Sequence, residues 1–305
     1  MPTRRFFLKK AAVGGGLLML PGLASASSLM KGVPRLTILH TNDWHSRIEP
    51  FPDDGGRNAN QGGAVRRMRL ISEIRATESN VLLLDSGDIF QGTPYFNFFA
   101  GELEMKLMSQ MGYDAATIGN HDFDGGMENL ATQMNHASFP MLSANYDFTG
   151  TPLAGMTEPY KIFRKEGIKV GVFGLGIKLS GLVPDELFGK TQYLDPLARG
   201  NETARILRHK EKCDLVICLS HLGYKYRNDD EVDDIDLASS SNDIDIILGG
   251  HTHTFLNEPT LVNNQQGDPV IVNQVGFAGL RLGRMDITFP GDSKRRCVAC
   301  NNLRV

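Results

Sequence analysis

The amino-acid sequence predicts a layered α/β domain. Strand-length apolar runs alternate with longer segments of helical spacing. A hairpin signal at Glu166-Gly167 separates two such alternating blocks, and 33 glycines among 305 residues imply many tight turns. With 41% apolar and 22% charged residues, the chain has ordinary globular composition and can bury a sizeable core.

In chain order, Arg35–His40 is a short β-rich run that stops at Thr41-Asn42-Asp43. Ala64–Thr77 places Val65, Met68, Ile71 and Ile74 at helical spacing with basic residues between, which predicts an amphipathic helix. Val81–Leu84 is continuously apolar, as a buried strand requires. Then follow a helix over Glu102–Met111, a strand over Ala115–Ile118, a helix over Met127–Asn135 and a strand over Pro140–Ala144. Tyr160–Arg164 and Lys169–Phe173 form the hairpin arms. A helix over Pro196–Lys212, a strand over Leu215–Leu219, a short helix near Ile235–Ser239 and a strand over Ile244–Leu248 complete the second block. Pro269–Phe289 reads as two or three strands joined by Gly-rich turns, and no internal repeat or low-complexity segment is present.

The ends read differently. Arg4-Arg5 ahead of Phe6-Phe7-Leu8, an apolar run from Ala11 to Leu23 and the small residues Ala24-Ser25-Ala26 predict a twin-arginine export signal over residues 1–26. The run is too short, and with Gly14, Gly15 and Gly16 too glycine-rich, for a stable membrane span. A periplasmic or secreted protein is expected. Loss of Arg4, Arg5, Lys9 and Lys10 with the signal would move the net charge from −3 to −7, which argues against a nucleic-acid-binding surface. A domain is expected over residues 35–290 and a tail over 291–305. Cys213 and Cys218 read as core residues, and Cys297-x-x-Cys300 as a disulfide or two idle thiols.

Candidate chemistry lies where the strands stop. Asn42-Asp43-Trp44-His45, Gly87-Asp88, Gly119-Asn120-His121-Asp122, Ser220-His221 and Gly249-Gly250-His251-Thr252-His253 each follow an apolar run directly. Strand C-terminal ends share one rim in an open α/β sheet, so these five loops can converge. Singly, Asp43 or Asn120 would read as a cap or turn residue. Together they hold five of the eight histidines beside carboxylates, a donor set suited to Zn, Mn, Fe or Mg. A pair of cations needs a bridging carboxylate, for which Asp88 is the natural candidate.

At these motifs the sequence resembles the calcineurin-like metallophosphoesterases, and within them the catalytic domain of the 5′-nucleotidases. Asp-x-His, Gly-Asp-x-x-x-Gly, Gly-Asn-His-Asp, a lone His and Gly-His-x-His occur in that order between Leu36 and Phe289. Gly62-Gly63-Ala64-Val65-Arg66-Arg67 and Phe90-Gln91-Gly92-Thr93-Pro94 narrow the branch. The resemblance implies a β-sandwich flanked by helices, with the site at strand C-terminal ends. It implies one divalent cation on Asp43, His45, Asp88 and His253, and a second on Asp88, Asn120, His221 and His251. His121 and Asp124 match the family's catalytic pair, the imidazole stabilising the transition state and the carboxylate orienting it. An Asp three residues after a His can also fix its tautomer on chemical grounds alone. The implied reaction is hydrolysis of phosphate monoesters, 5′-nucleotides foremost, by a hydroxide bridging the cations, with Asn120 also on the phosphoryl oxygens. The alternatives are a cyclic-nucleotide phosphodiesterase, a pyrophosphatase, a thiosulfohydrolase-like enzyme or a non-catalytic metal-binding subunit. Full-length 5′-nucleotidases carry a C-terminal nucleoside-binding domain, whereas only Pro290–Val305 follow Phe289 here. Either broad specificity or a separate chain supplying that domain is expected.

The remaining conspicuous residues read as structural. His40 is expected packed in the core or behind the ligands, His136 and His209 on helix surfaces, and the acidic run Asn228–Asp234 in a solvated loop. Phe96, Phe98 and Phe99 are expected to pack beneath the Asp88 loop rather than stack on a base.

Overall fold

A computed structural model describes residues 34–227, 231–289 and 297–305, apart from the side chain at 297; the signal-peptide expectation falls outside them. The first block contains β1 (Arg35–Thr41), α1 (Ala64–Thr77), β2 (Val81–Asp85), α2 (Pro94–Phe99), α3 (Glu102–Met111) and β3 (Ala115–Thr117). A 3₁₀ turn (His121–Phe123), α4 (Met127–Met134), β4 (Met141–Leu142) and β5 (Tyr146–Asp147) follow. The second block begins with the hairpin β6 (Tyr160–Lys165) and β7 (Ile168–Leu175), then α5 (Asp185–Phe188), β8 (Gln192–Tyr193) and α6 (Pro196–Arg205), which continues as a π turn to Lys210. It ends with β9 (Leu215–Ser220), α7 (Asp234–Ser240), β10 (Ile246–Gly249), β11 (Thr260–Asn263), β12 (Pro269–Asn273), β13 (Arg281–Thr288) and β14 (Cys297–Arg304).

The strands form two six-stranded sheets, β14-β13-β1-β2-β3-β4 and β11-β12-β10-β9-β7-β6, plus the small β5-β8 pair. Strands β1 to β4 are mutually parallel, as are β7, β9, β10 and β12. Alternation along each strand sorts the side chains into layers. Leu36, Ile38, Leu82 and Leu84 of one sheet meet Val170, Val172, Leu215, Ile217 and Leu248 of the other. On the far sides, Leu39 and Leu83 pack with Ile71, Met105 and Met108 of the helices, and Val216 and Cys218 with Leu207 and Leu237. The result is a helix–sheet–sheet–helix sandwich. The single rim inferred from the strand ends is therefore two rims, one from each sheet, facing the same way. Among the described residues no helix is long and apolar enough to cross a membrane.

Several expectations need correcting. The stretch expected as a tail includes β14, which pairs antiparallel with β13 from Arg281↔Arg304 to Thr288↔Cys297. Cys300 is a free, half-buried thiol. Three residues along an extended strand place Cα atoms ~10 Å apart, beyond disulfide reach, which agrees with the free thiol at Cys300. Helix α1 turns Met68, Ile71 and Ile74 inward as expected, but Val65 is 81% exposed and Arg67 is buried in its place. Phe96 does pack against Phe90, but Phe98 and Phe99 stand 82% and 48% exposed on α2, because a two-turn helix can bury only one side. The acidic run is not all solvated: Asp233 caps α7 and Asp234 is buried.

His40 is packed in the core as expected. Its Nε2 lies 2.9 Å from Asn273 Nδ2, and burial lowers its pKa to about 3. The unfolded chain takes up this proton near pH 6.5 and the folded chain does not, so stability is lost as pH falls from about 6.5 toward 3. Between pH 4 and 6, the slope of unfolding free energy against pH is expected to drop in His40→Gln by up to about 1.4 kcal/mol per unit. Equal slopes in urea titrations of the two proteins would refute this.

Candidate metal centre

Each strand end turns its ligand-type residue out by a local device. Beyond β1, the Asn42 amide donates from Nδ2 to Asp43 Oδ2 (2.6 Å) and to Gly276 O (2.5 Å), and accepts from Val275 N (3.1 Å). Asp43 and His45 then both take φ of 50°, in the left-handed region. Asp88 (φ 55°), His251 (φ 69°) and His253 (φ 52°) do the same beyond β2 and β10. Such conformations persist in non-glycine residues only where the surroundings over-determine them. Gly119 is required for a different reason: a Cβ there would lie 2.2 Å from Asp88 Oδ1.

Asp122, to which the sequence reading gave no role, holds the β2 and β3 loops together. Its carboxylate accepts from Gly119 N (2.8 Å), Asp88 N (3.1 Å), Ile89 N (2.9 Å) and Phe90 N (3.1 Å). Burial, reinforced by the Asp88 charge, pushes its pKa up to about 7. The four-donor arrangement has no linear signature beyond the motif itself.

The five loops converge. Asp43, His45 and His253 form one group and Asp88, His221 and His251 another; within each, the ligand atoms lie within 4.8 Å of one another. The Nε2 atoms of His45 and His253 are 2.9 Å apart, and His253 Nε2 is 3.4 Å from Asp43 Oδ1. Asp88 Oδ2 lies 3.1 Å from His221 Nε2 and 3.8 Å from His45 Nε2, so this carboxylate reaches both groups. Asn120 Oδ1 sits 2.9 Å from His251 Nδ1.

The donor chemistry fits cations. His221 Nδ1 donates to Ser86 O (2.6 Å), which leaves Nε2 as the coordinating atom. That Nε2 is buried and has no well-formed hydrogen bond among the described residues, despite its contact with Asp88. Burial alone would lower the His221 pKa, but the Asp88 carboxylate raises it to about 10; a metal would displace that proton. For Asp88 the burial penalty is outweighed by His221 and His45, which hold its carboxyl well below the usual range.

His121 stands at the edge of these groups, its ring centroid 5.3 Å from that of His45. Its Nδ1 is 2.8 Å from Asp124 Oδ2, and its backbone N donates to Asp88 Oδ1 at 2.8 Å. The Asp124 hydrogen bond, opposed by burial, raises the His121 pKa and favours a protonated imidazole. His209 and His136 lie outside the site, His209 paired with Asp243 at 3.0 Å.

The calcineurin-like phosphoesterase family model matches residues 36–255. The chain belongs to this family. As a calcineurin-like phosphoesterase it is 37% identical to a 5′-nucleotidase of Vibrio cholerae, over 84% of this chain and 49% of that protein. It is 36% identical to a snake venom 5′-nucleotidase of Gloydius brevicauda, over 90% of this chain and 49% of that protein. The solved 5′-nucleotidase precursor of Thermus thermophilus superposes with a TM-score of 0.78 at 31% identity, covering 89% of this phosphoesterase and 54% of that chain. The chain thus spans about half the length of the curated relatives it matches. The family is dinuclear-metal dependent, and this phosphoesterase carries two candidate ligand groups to match.

Proposed function

We propose that the protein is a metal-dependent phosphoric monoester hydrolase acting on nucleoside 5′-phosphates. The observation that carries this is Asp88, one carboxylate in reach of both ligand groups, with His121–Asp124 beside it. Asp43, His45, Asp88 and His253 would hold one cation, and Asp88, Asn120, His221 and His251 the other; the imidazole and carboxylate donors suit Zn, Mn, Fe or Mg. Two such cations supply Lewis acidity and make a bound water acidic enough to react near neutral pH. The chain's own residues do the rest. His121 donates from Nε2 to a phosphoryl oxygen, and Asp124 keeps the opposite nitrogen protonated and the ring aimed. The nucleotide class rests on the 5′-nucleotidase relatives.

Purified protein, stripped with chelator and reloaded with Mn²⁺ or Zn²⁺, is expected to hydrolyse para-nitrophenyl phosphate and nucleoside 5′-monophosphates, with His121→Ala as the control. Metal-loaded protein that turns over neither, or that prefers cyclic nucleotides or thiosulfate esters, would refute the assignment. A twin-arginine export route, supported by Arg4-Arg5, is part of the same proposal. Undiminished export of an Arg4→Lys/Arg5→Lys variant would remove it.

A further inference from the structure

Helix α1 buries a guanidinium. Arg67 is 1% exposed, and among the described residues Nε, Nη1 and Nη2 have no hydrogen-bond partner. A buried cation without acceptors is costly, so its position needs a compensating contact. One is the indole of Trp44: Arg67 Cζ lies 4.0 Å from the ring centroid, a desolvated cation–π stack. Trp44 is 1% exposed, sits between Asp43 and His45, and is held at its other end by Nε1 donating to Arg47 O at 2.7 Å. The backbone at Gly279 closes over the guanidinium, since a Cβ there would come 3.0 Å from Nη1. A second influence is electrostatic and acts without an ion pair among the described residues. Asp85 accepts from Thr41 Oγ1 (2.5 Å) and from Gly87 N (2.9 Å), so it anchors the backbone next to Asp88. Burial pushes the Asp85 pKa up to about 7, and the Arg67 charge acts to keep the carboxylate ionised.

We infer that Arg67 is a positioning residue for the cation pair: it stacks on Trp44 in the Asp43–His45 loop, and that loop is bonded to the Asp88 loop by Asp43 N donating to Gly87 O (2.9 Å) and His45 N to Asp88 O (3.0 Å). Asp43, His45 and Asp88 all adopt positive φ and depend on outside support, which the Arg67–Trp44 stack supplies between the first two. Without the guanidinium the indole loses its face-on partner and Asp85 its counter-charge, and the spacing between the two ligand groups loosens. The inference rests on the metal-centre reading above.

Trp44 is the chain's single tryptophan, so its emission reports directly on this junction. The test is titration of Mn²⁺ into chelator-treated full-length protein, followed by tryptophan fluorescence and by calorimetry. Arg67→Met keeps the length and apolar contact without the charge. It is expected to bind Mn²⁺ roughly 10- to 100-fold more weakly, the range for residues that support metal ligands. Its thermal unfolding, followed by circular dichroism, is expected to stay cooperative, and at saturating Mn²⁺ its KM is expected to be unchanged. Arg67→Lys restores the charge but not the planar stack, and is expected to fall between the two. Wild-type Mn²⁺ affinity in folded Arg67→Met overturns the inference. Should that variant fail to fold, wild-type affinity in Arg67→Lys overturns it equally. Wild-type protein that binds neither Mn²⁺ nor Zn²⁺ would instead overturn the metal-centre reading itself.

Discussion

Asp88→Asn is expected to lower kcat/KM by at least about 10³-fold and to reduce bound metal below two per chain. The substitution keeps the shape, and an asparagine oxygen can still accept from His121 N. What it removes is the charge on the one carboxylate that reaches both ligand groups, at 3.1 Å from His221 Nε2 and 3.8 Å from His45 Nε2. Two cations held close together without that charge repel each other inside a buried pocket. The several kcal/mol of charge stabilisation that such a pair supplies corresponds to three or more decades in rate, at about 1.4 kcal/mol per decade. Metal analysis of dialysed protein, read beside hydrolysis of para-nitrophenyl phosphate, checks both halves. Two metals retained with wild-type turnover would remove Asp88 from its bridging role.

His121→Ala should act differently, because His121 belongs to neither ligand group. Its imidazole is half-exposed at the edge of the site, with Nδ1 committed to Asp124 at 2.8 Å and Nε2 left to meet a substrate oxygen. Removing one such donor is expected to lower kcat by about 10²- to 10³-fold while metal content stays at two. Asp124→Asn leaves the ring but releases its orientation, and a smaller loss of roughly 10- to 100-fold is expected. The double variant should be little worse than His121→Ala alone, since Asp124 acts through the histidine. Multiplicative losses in steady-state kinetics would show that Asp124 has an independent task.

The candidate ligand residues were legible in the sequence because each follows an apolar run, and the helices α1 and α3 because of their apolar spacing and the glycines at Gly63, Gly101 and Gly112. Other features depended on information that no local window contains. The partition of parallel strands into two sheets is set by which apolar faces meet, and both faces of β2 or β9 are buried and read alike. Strand β14 has polar residues at Asn301 and Asn302 and gains its place only by pairing with β13, where Asn302 reaches Asn273 and Leu256 O. Arg67 looks like one more surface cation of an amphipathic helix until Trp44 is brought over it by the fold. Asp122 stands inside a recognisable motif, yet its work on four backbone amides became visible only when the β2 and β3 loops lay side by side.

Five of the seven proposed ligand positions, Asp43, His45, Asp88, His251 and His253, sit at positive φ. Each costs an L-residue about 1 kcal/mol relative to glycine. Heat resistance and reactivity therefore pull this rim in opposite directions. A lineage screened only for thermal persistence would drift toward glycine at these sites and hand back its chemistry, so inert variants such as His253→Gly should outlast the parent when both are heated without metal.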